Sequence, residues 1–299
     1  MTSDSQPLIK TALVIPVFNR KETTLQGLRS LSRIKADGLD VRIFVVDDGS
    51  TDGTADAIKV EFPDVQLGFG DGTLHYAAGT NRGIEAALKW KADLIVTMND
   101  DSIFHEEFLL SLVETSKRFE RSIVGASLLL WDQPHLTFQI APKWNSIKGG
   151  WVFPQDQSIF SFPSEPYRVE CIVGNCVLFP VAAINENGLM DETNFPNGWG
   201  DVQYTMRMQK AGWQLIVDPG SKVWCEPNTY PAPLHTLPVS DRLRILWKDQ
   251  RHPANLVRQF KALWYSAPSK PAAVAAFACY VGRLGLKAIN ILPLETRTT

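Results

Sequence analysis

Cysteine is scarce in this 299-residue sequence, and Cys171, Cys176, Cys225 and Cys279 form no CxxC pair. Their spacing matches no zinc motif. An excess of one charge sign is also missing: 30 Lys and Arg stand against 32 Asp and Glu, a net of −2. Gripping nucleic acid by its phosphates requires a basic footprint, so nucleic acid is not an expected partner. Long apolar runs are absent too. The longest near the C-terminus, Pro271 to Gly282, is too short to span a bilayer and runs into Arg283. The opening MTSDSQPLIK has no apolar stretch behind a basic head, so no secretory signal is expected. With so few cysteines, that favours a reducing, cytoplasmic compartment and free thiols.

What is present is an ordinary globular composition, 44% hydrophobic and 21% charged, long enough for one large α/β core with or without an appendage. The charge is unevenly placed. From Asp241 to Thr299 the net is +7, which leaves −9 for the chain before it.

The first hundred residues alternate two periods. TALVIPVF (Thr11 to Phe18), VRIFVV (Val41 to Val46) and DLIVTM (Asp93 to Met98) read as buried strands, with another near VQLGF. Between them, Leu25, Leu28, Leu31 and Ile34 recur at helical spacing, and a helix is expected from about Gly79 to Trp90. Such alternation predicts a mostly parallel sheet, with ligands bound at the carboxyl ends of its strands. Trp131 to Arg168 reads as loops or antiparallel hairpins, VECIVGNCVLFPVAAI as a buried strand, Asp201 to Gly212 as a helix, WQLIVD as a strand, and the basic tail as helices.

Three acidic loops follow buried strands or glycine turns: Asp47-Asp48, Asp100-Asp101 and Asp201. Carboxylates gathered beyond strand ends suit a hard divalent cation and a polar diphosphate. Each loop alone has a plainer explanation. DDGSTDGT is also a turn leading into a helix capped by Thr51 or Asp52, NDD is also a helix N-cap, and GWGD also starts a helix.

Taken in order, the stretches VIPVFNR (Val14 to Arg20), VVDDGSTDGT (Val45 to Thr54), AAGTNRGIEAAL (Ala77 to Leu88), VTMNDDS (Val96 to Ser102), GNCVLFPVAAINENGLMDE (Gly174 to Glu192) and GWGDVQYTMRMQKAGW (Gly198 to Trp213) resemble glycosyltransferase family 2. The resemblance covers roughly residues 11–230. It implies the GT-A fold: a Rossmann-like mixed, mostly parallel sheet flanked by helices, here with a helical C-terminal extension. It divides the chain into a donor-binding half (1–102), an acceptor-binding half (103–235) and a basic amphipathic extension (236–299).

The same resemblance implies the site. Pro16, Val17 and Asn19 line the base pocket with Arg20 nearby. Asp47, or alternatively Asp48, accepts from the imide N–H of uracil or thymine, which makes UDP or dTDP the expected nucleotide. Gly79, Asn81 and Arg82 lie in a segment that either opens a helix against the donor or is a simple Asn/Gly turn. In Asn99-Asp100-Asp101, Asp101 binds Mg²⁺ or Mn²⁺ and Asp100 contacts the donor's ribose or sugar. Where the family often has a metal-binding histidine, this chain has Cys225, a buried structural thiol by its chemistry, with Glu226 and His235 as weaker alternatives. Asp201 is the candidate general base, placed where a helix N-terminus favours negative charge. Gly174 and Asn175 sit near the acceptor hydroxyl. Trp199 packs either on an acceptor sugar or in the core, and Trp131, Trp144 and Trp151 line either an acceptor cleft or a hairpin core.

The activity so implied is metal-dependent, inverting transfer from a UDP- or dTDP-sugar, with rhamnose favoured, to a glycan or lipid-linked hydroxyl in bacterial surface-polysaccharide assembly. A sugar nucleotidyltransferase and a catalytically silent carbohydrate-binding or scaffold protein are the rivals. The tail's interleaved apolar and basic residues suit an anionic membrane surface, packing on the catalytic domain, or a homodimer seam.

Overall fold

The computed structural model describes residues 7–154, 156–227, 234–249 and 252–288. The end of the expected extension and the side chain of His235 lie outside what is described. In chain order the elements begin β1 (Ile9–Val17), α1 (Lys21–Leu31), β2 (Leu39–Asp47), α2 (Thr54–Glu61), β3 (Gln66–Phe69), α3 (His75–Lys89), β4 (Leu94–Met98) and β5 (Ser102–Phe104). Next come α4 (Phe108–Arg118), β6 (Ser122–Leu130), β7 (Lys143–Asn145), β8 (Gly150–Val152), β9 (Tyr167–Arg168), β10 (Cys176–Pro180), α5 (Val181–Asn187), α6 (Gly200–Lys210) and β11 (Gln214–Cys225). The helices α7 (Val239–Trp247), α8 (Leu256–Ser266) and α9 (Lys270–Ala288) follow.

Two compact units form. One comprises the chain up to Pro142 with Pro154–Pro227; the other comprises Lys143–Phe153 and the described residues after Pro227. The first is built on a sheet ordered β3-β2-β1-β4-β10-β6-β11-β5, with β9 paired to β11. Strands β10, β5 and β9 run against the others, so the sheet is mixed and mostly parallel, as the alternation implies. Its central strands are sealed on both faces: Thr11 to Ile15 and the whole of β6 are buried. That burial suits the apolar run that made β1 legible; β6, broken by Ser122, Gly125 and Ser127, was not expected from the sequence.

Helix α3 packs against β1 at two glycines. A Cβ added at Gly79 would lie 3.1 Å from Pro16 Cβ, and one at Gly83 would lie 2.3 Å from Val14 Cγ1. Three elements differ from the sequence expectation. Helix α1 stops at Leu31, leaving Ile34 in the turn that follows. Helix α3 starts at His75, not near Gly79, because the carboxylate of Asp48 accepts from the N–H groups of Gly72 (2.9 Å) and His75 (3.0 Å) and caps it from a distant loop. The run around Cys176 is a short strand that gives way to α5 after Pro180.

In the second unit, the β7–β8 hairpin packs with α8 and α9. Trp144 and Trp151 meet edge-on at 5.3 Å, and Trp151 donates to Ser266 Oγ at 2.9 Å. Trp144 also packs on the cluster of Leu263, Ala267, Ala273 and Ala276. These two tryptophans therefore fill a hairpin core.

Candidate active site

Strand register gathers the acidic loops. Parallel pairing sets Val17 beside Asp47 and Val14 beside Thr97, so the loops after β1, β2 and β4 leave the sheet at one edge. Antiparallel β10 enters at that edge, with Cys176 beside Met98, which brings Gly174 and Asn175 to it. Cys225 pairs with Ser102, and the Glu226 N–H donates to the Asp101 carbonyl at 3.3 Å. The start of α6 joins the group through Asp201, whose Oδ2 accepts from the Gly174 N–H at 2.7 Å. Asp47, Asp101 and Asp201 thus share one rim.

Arg20 lies among the carboxylates of this rim. Its Nη1 donates to Asp100 Oδ1 (3.2 Å) and Asp101 Oδ2 (3.0 Å), and its Nη2 to Glu226 Oε2 (2.8 Å). Burial opposes the guanidinium's charge, but the three carboxylates outweigh it and raise its pKa. Burial pushes the Asp100 carboxyl up to about 6, with Arg20 pulling it down and Asp101 adding to the rise. Thr24 Oγ1 also donates to Asp100, at 3.4 Å. The remaining oxygen of Asp101, Oδ1, is buried without a hydrogen-bond partner.

That orphaned oxygen is the test of fit for a divalent cation. A buried carboxylate oxygen without a donor is costly, and a hard cation removes the cost. Among the described residues no three His, Cys, Asp or Glu side chains form a ready ligand set. Asp101 fits the cation as a single protein ligand, which suits Mg²⁺-like ions that take one or two carboxylates and complete their shell with water and phosphate oxygens. Cys225 lies close by, but burial and then the Asp101 charge push its thiol up to about 12, and it contacts Ser102 and Asn175 at 3.7 Å. It is held as a thiol, ill suited to a hard ion.

Around Asp201 the backbone is specialised. A Cβ on residue 174 would lie 2.3 Å from Asp201 Cβ, so only glycine lets the two loops approach this closely. Trp199, half-buried just ahead of α6, has φ +64°, a left-handed conformation that is strained for so bulky a residue. Tyr76 donates to the Gly174 carbonyl at 3.3 Å. Burial, then the negative charges of Asp201 and Asp101, raise its phenol pKa, so Tyr76 lies within the field of both carboxylates. The sequence reading missed Tyr76, although it directly precedes the matched stretch from Ala77.

Several expected donor-binding residues are engaged in holding loops. Asp47 Oδ1 accepts from the Ser50 N–H (2.8 Å), and Asp48 caps α3. Asn19 (φ +50°) donates its N–H to Ser50 Oγ and accepts from the Thr51 N–H, both at 2.8 Å, tying the β1 and β2 loops together. The expectation that Gly79, Asn81 and Arg82 open a helix is corrected: all three lie within α3, where the N–H groups serve the helix itself. Asn81 Nδ2 donates to the Met190 carbonyl (3.0 Å) and Glu192 Oε2 (2.8 Å), and its Oδ1 accepts from the Met190 N–H (2.9 Å). Arg82 donates to the Phe69 carbonyl at 3.2 Å. Pro16 and Val17 lie at the rim end of β1, half-buried and buried respectively.

An open α/β sheet with carboxylates gathered at its carboxyl edge, beside a helix with an aspartate in its first turn, has the architecture of the GT-A glycosyltransferases. The chain belongs to glycosyl transferase family 2, whose sequence profile matches residues 12–174. Two relatives, each named N-acetylglucosaminyl-diphospho-decaprenol L-rhamnosyltransferase, come from Mycobacterium tuberculosis strains CDC 1551 / Oshkosh and ATCC 25618 / H37Rv; each is 27% identical over 204 residues. Each match covers 61% of this chain and 66% of the relative, just under two thirds of its length. Among solved structures, a crystal structure of GalNAc-T7 with UDP, GalNAc and Mn²⁺ superposes with a TM-score of 0.61 at 14% identity. It covers 97% of this chain and 59% of that one, a likeness of fold. Among the described residues no helix is long and apolar enough to cross a membrane.

Proposed function

We propose that this glycosyltransferase moves a sugar, with inversion, from a dTDP- or UDP-sugar to a hydroxyl of a glycan or lipid-linked saccharide during bacterial surface-polysaccharide assembly. The observation that carries the reading is the meeting of Asp101, with its unpartnered oxygen, and Asp201 at one sheet edge, with Tyr76 in the field of both. Rhamnose as the sugar, and a lipid-linked acceptor, are supported by the names of the 27% identical relatives.

In this reading residues 1–102 bind the donor, with Pro16, Val17 and Asp47 around the base. Residues 103–235 bind the acceptor, and 236–299 form the extension. Asp101, whose Oδ1 is unpartnered, would hold Mg²⁺ or Mn²⁺, which when bound would supply Lewis-acid stabilisation of the departing diphosphate. Asp201 takes the proton of the acceptor hydroxyl as it attacks. Its hydrogen bond from Gly174 fixes one oxygen at 2.7 Å, which orients the carboxylate. Direct attack by the acceptor hydroxyl, with Asp201 taking its proton and the diphosphate leaving, is a single displacement and therefore inverts. Asp48, Asn19 and Asn81 act by holding the rim in shape, through the bonds described above.

The acceptor's lipid would place the reaction at the inner face of the cell membrane. On α7, Val239, Leu243 and Trp247 recur every fourth residue and are 66%, 54% and 59% exposed. Arg244 and Lys248 are exposed on the same helix and its cap, in a stretch of net +7. An exposed apolar stripe among basic residues suits an anionic lipid surface.

The test is transfer itself. Full-length protein, Mn²⁺ and a polyprenyl-diphosphate saccharide are incubated with dTDP-rhamnose and with a panel of UDP-sugars, and products are read by mass spectrometry. Addition of one sugar, with inverted anomeric configuration, is expected. Retention of configuration, or no transfer from any dTDP- or UDP-sugar, would overturn the reading.

A further inference from the structure

We infer that Arg20 is a positioning residue: it claims one oxygen of Asp101 so that the other is presented to the cation, and it withdraws Asp100 and Glu226 from the ligand set. The inference rests on the reading of Asp101 as cation ligand and adds how the chain makes it a ligand through a single oxygen.

A free carboxylate flips and rotates between one-oxygen and two-oxygen coordination. Asp101 is not free in this sense. Its Oδ2 is bound by Arg20 Nη1 at 3.0 Å, while Oδ1 is buried and unpartnered. The guanidinium is itself braced on two further sides, by Asp100 at 3.2 Å and Glu226 at 2.8 Å. Its planar fork suits this arrangement, since separate N–H groups serve carboxylates arriving from the β4 and β11 loops. The same bonds occupy Asp100 Oδ1 and Glu226 Oε2, whose protein partner is a cation already in place. A divalent ion at the rim thus meets one directed protein oxygen, and the diphosphate and water supply the rest. Outer partners that orient ligands in this way typically set 10- to 100-fold of a metal's affinity.

The consequence is conditional binding: Mn²⁺ alone binds weakly, and Mn²⁺ with dTDP or UDP binds much more tightly. The experiment titrates full-length protein with dTDP and with UDP, in Mn²⁺ and in EDTA, by isothermal calorimetry, and counts free Mn²⁺ by electron paramagnetic resonance. Arg20→Gln should lose about 10- to 100-fold of the Mn²⁺-dependent gain in nucleotide affinity, taken as the ratio of its affinities in Mn²⁺ and in EDTA, while its circular dichroism spectrum reports that the variant is folded. Glu226→Gln, which still offers Arg20 an acceptor, should keep the gain within about threefold, well short of the 10-fold floor for an orienting partner. The inference is overturned if Arg20→Gln retains the full gain, or if Glu226→Gln abolishes it as Asp101→Asn does, since Glu226 would then be a ligand. If Asp101→Asn itself retains the gain, the underlying site assignment is wrong instead.

Discussion

Replacing Asp201 with asparagine isolates proton transfer from architecture. Among the carboxylate's structural bonds is the one it accepts from the Gly174 N–H at 2.7 Å, and an asparagine Oδ1 accepts that bond in the same space. The two side chains are nearly isosteric, so the close approach that glycine at 174 permits, 2.3 Å from a built Cβ to Asp201 Cβ, is undisturbed. What disappears is the proton acceptor. A positioned general base contributes typically ~10²–10⁴-fold, which corresponds to about 3–5 kcal/mol of transition-state stabilisation. The assay compares kcat for sugar transfer, KM for donor, and thermal midpoint in both proteins. A kcat lowered at least ~100-fold, with donor KM and midpoint near wild type, is expected. Gly174→Ala should lower kcat as well, by displacing a carboxylate that is still present. A kcat for Asp201→Asn within a few-fold of wild type would refute the role given to Asp201.

Gly83→Ala should destabilise the donor half by ~1–3 kcal/mol, read by urea unfolding, because the new methyl would sit 2.3 Å from Val14 Cγ1. Asn81→Leu strands the Met190 carbonyl and N–H in a buried site, at ~1–3 kcal/mol per lost partner. It should lower the unfolding midpoint while nucleotide affinity in the surviving folded protein stays close to wild type; a selective loss of nucleotide binding would return Asn81 to the donor site. The pair Leu243→Glu and Trp247→Glu should remove most sedimentation with phosphatidylglycerol vesicles and leave transfer to a water-soluble acceptor unchanged. Equal sedimentation of variant and wild type would refute the membrane surface.

Strands β1, β2 and β4 were legible from their apolar runs, whereas β6, broken by Ser122, Gly125 and Ser127, was not. Thr11 to Ile15 is covered on both faces, and an apolar run suits that environment. The clustering of Asp47, Asp101 and Asp201 was likewise readable, since parallel strands put their following loops at one edge. The start of α3 was not, because its cap is Asp48, 27 residues upstream of His75, and no local pattern announces a cap borrowed from another loop. The bonds of Asn81 were hidden for the same reason: its partners at Met190 and Glu192 are more than a hundred residues away. Arg20 and Glu226, 206 positions apart, read as a base-pocket neighbour and a doubtful ligand until the sheet joined their loops. Trp144 and Trp151 carried no local signal that separates a sugar platform from a hairpin core, and their packing with α8 and α9 decides it. Cys225 was readable from chemistry alone, as a soft ligand poorly matched to Mg²⁺ and buried as a thiol.

Donor chemistry at this rim depends first on where a nucleotide diphosphate sits. A crystal structure of the protein with Mn²⁺ and dTDP or UDP should show the base against Pro16, Val17 and Asp47. The ion should lie within about 2.0–2.6 Å of Asp101 Oδ1, with the open face of the diphosphate turned toward Asp201. A nucleotide bound away from this rim, or an ion coordinated without Asp101, would contradict it.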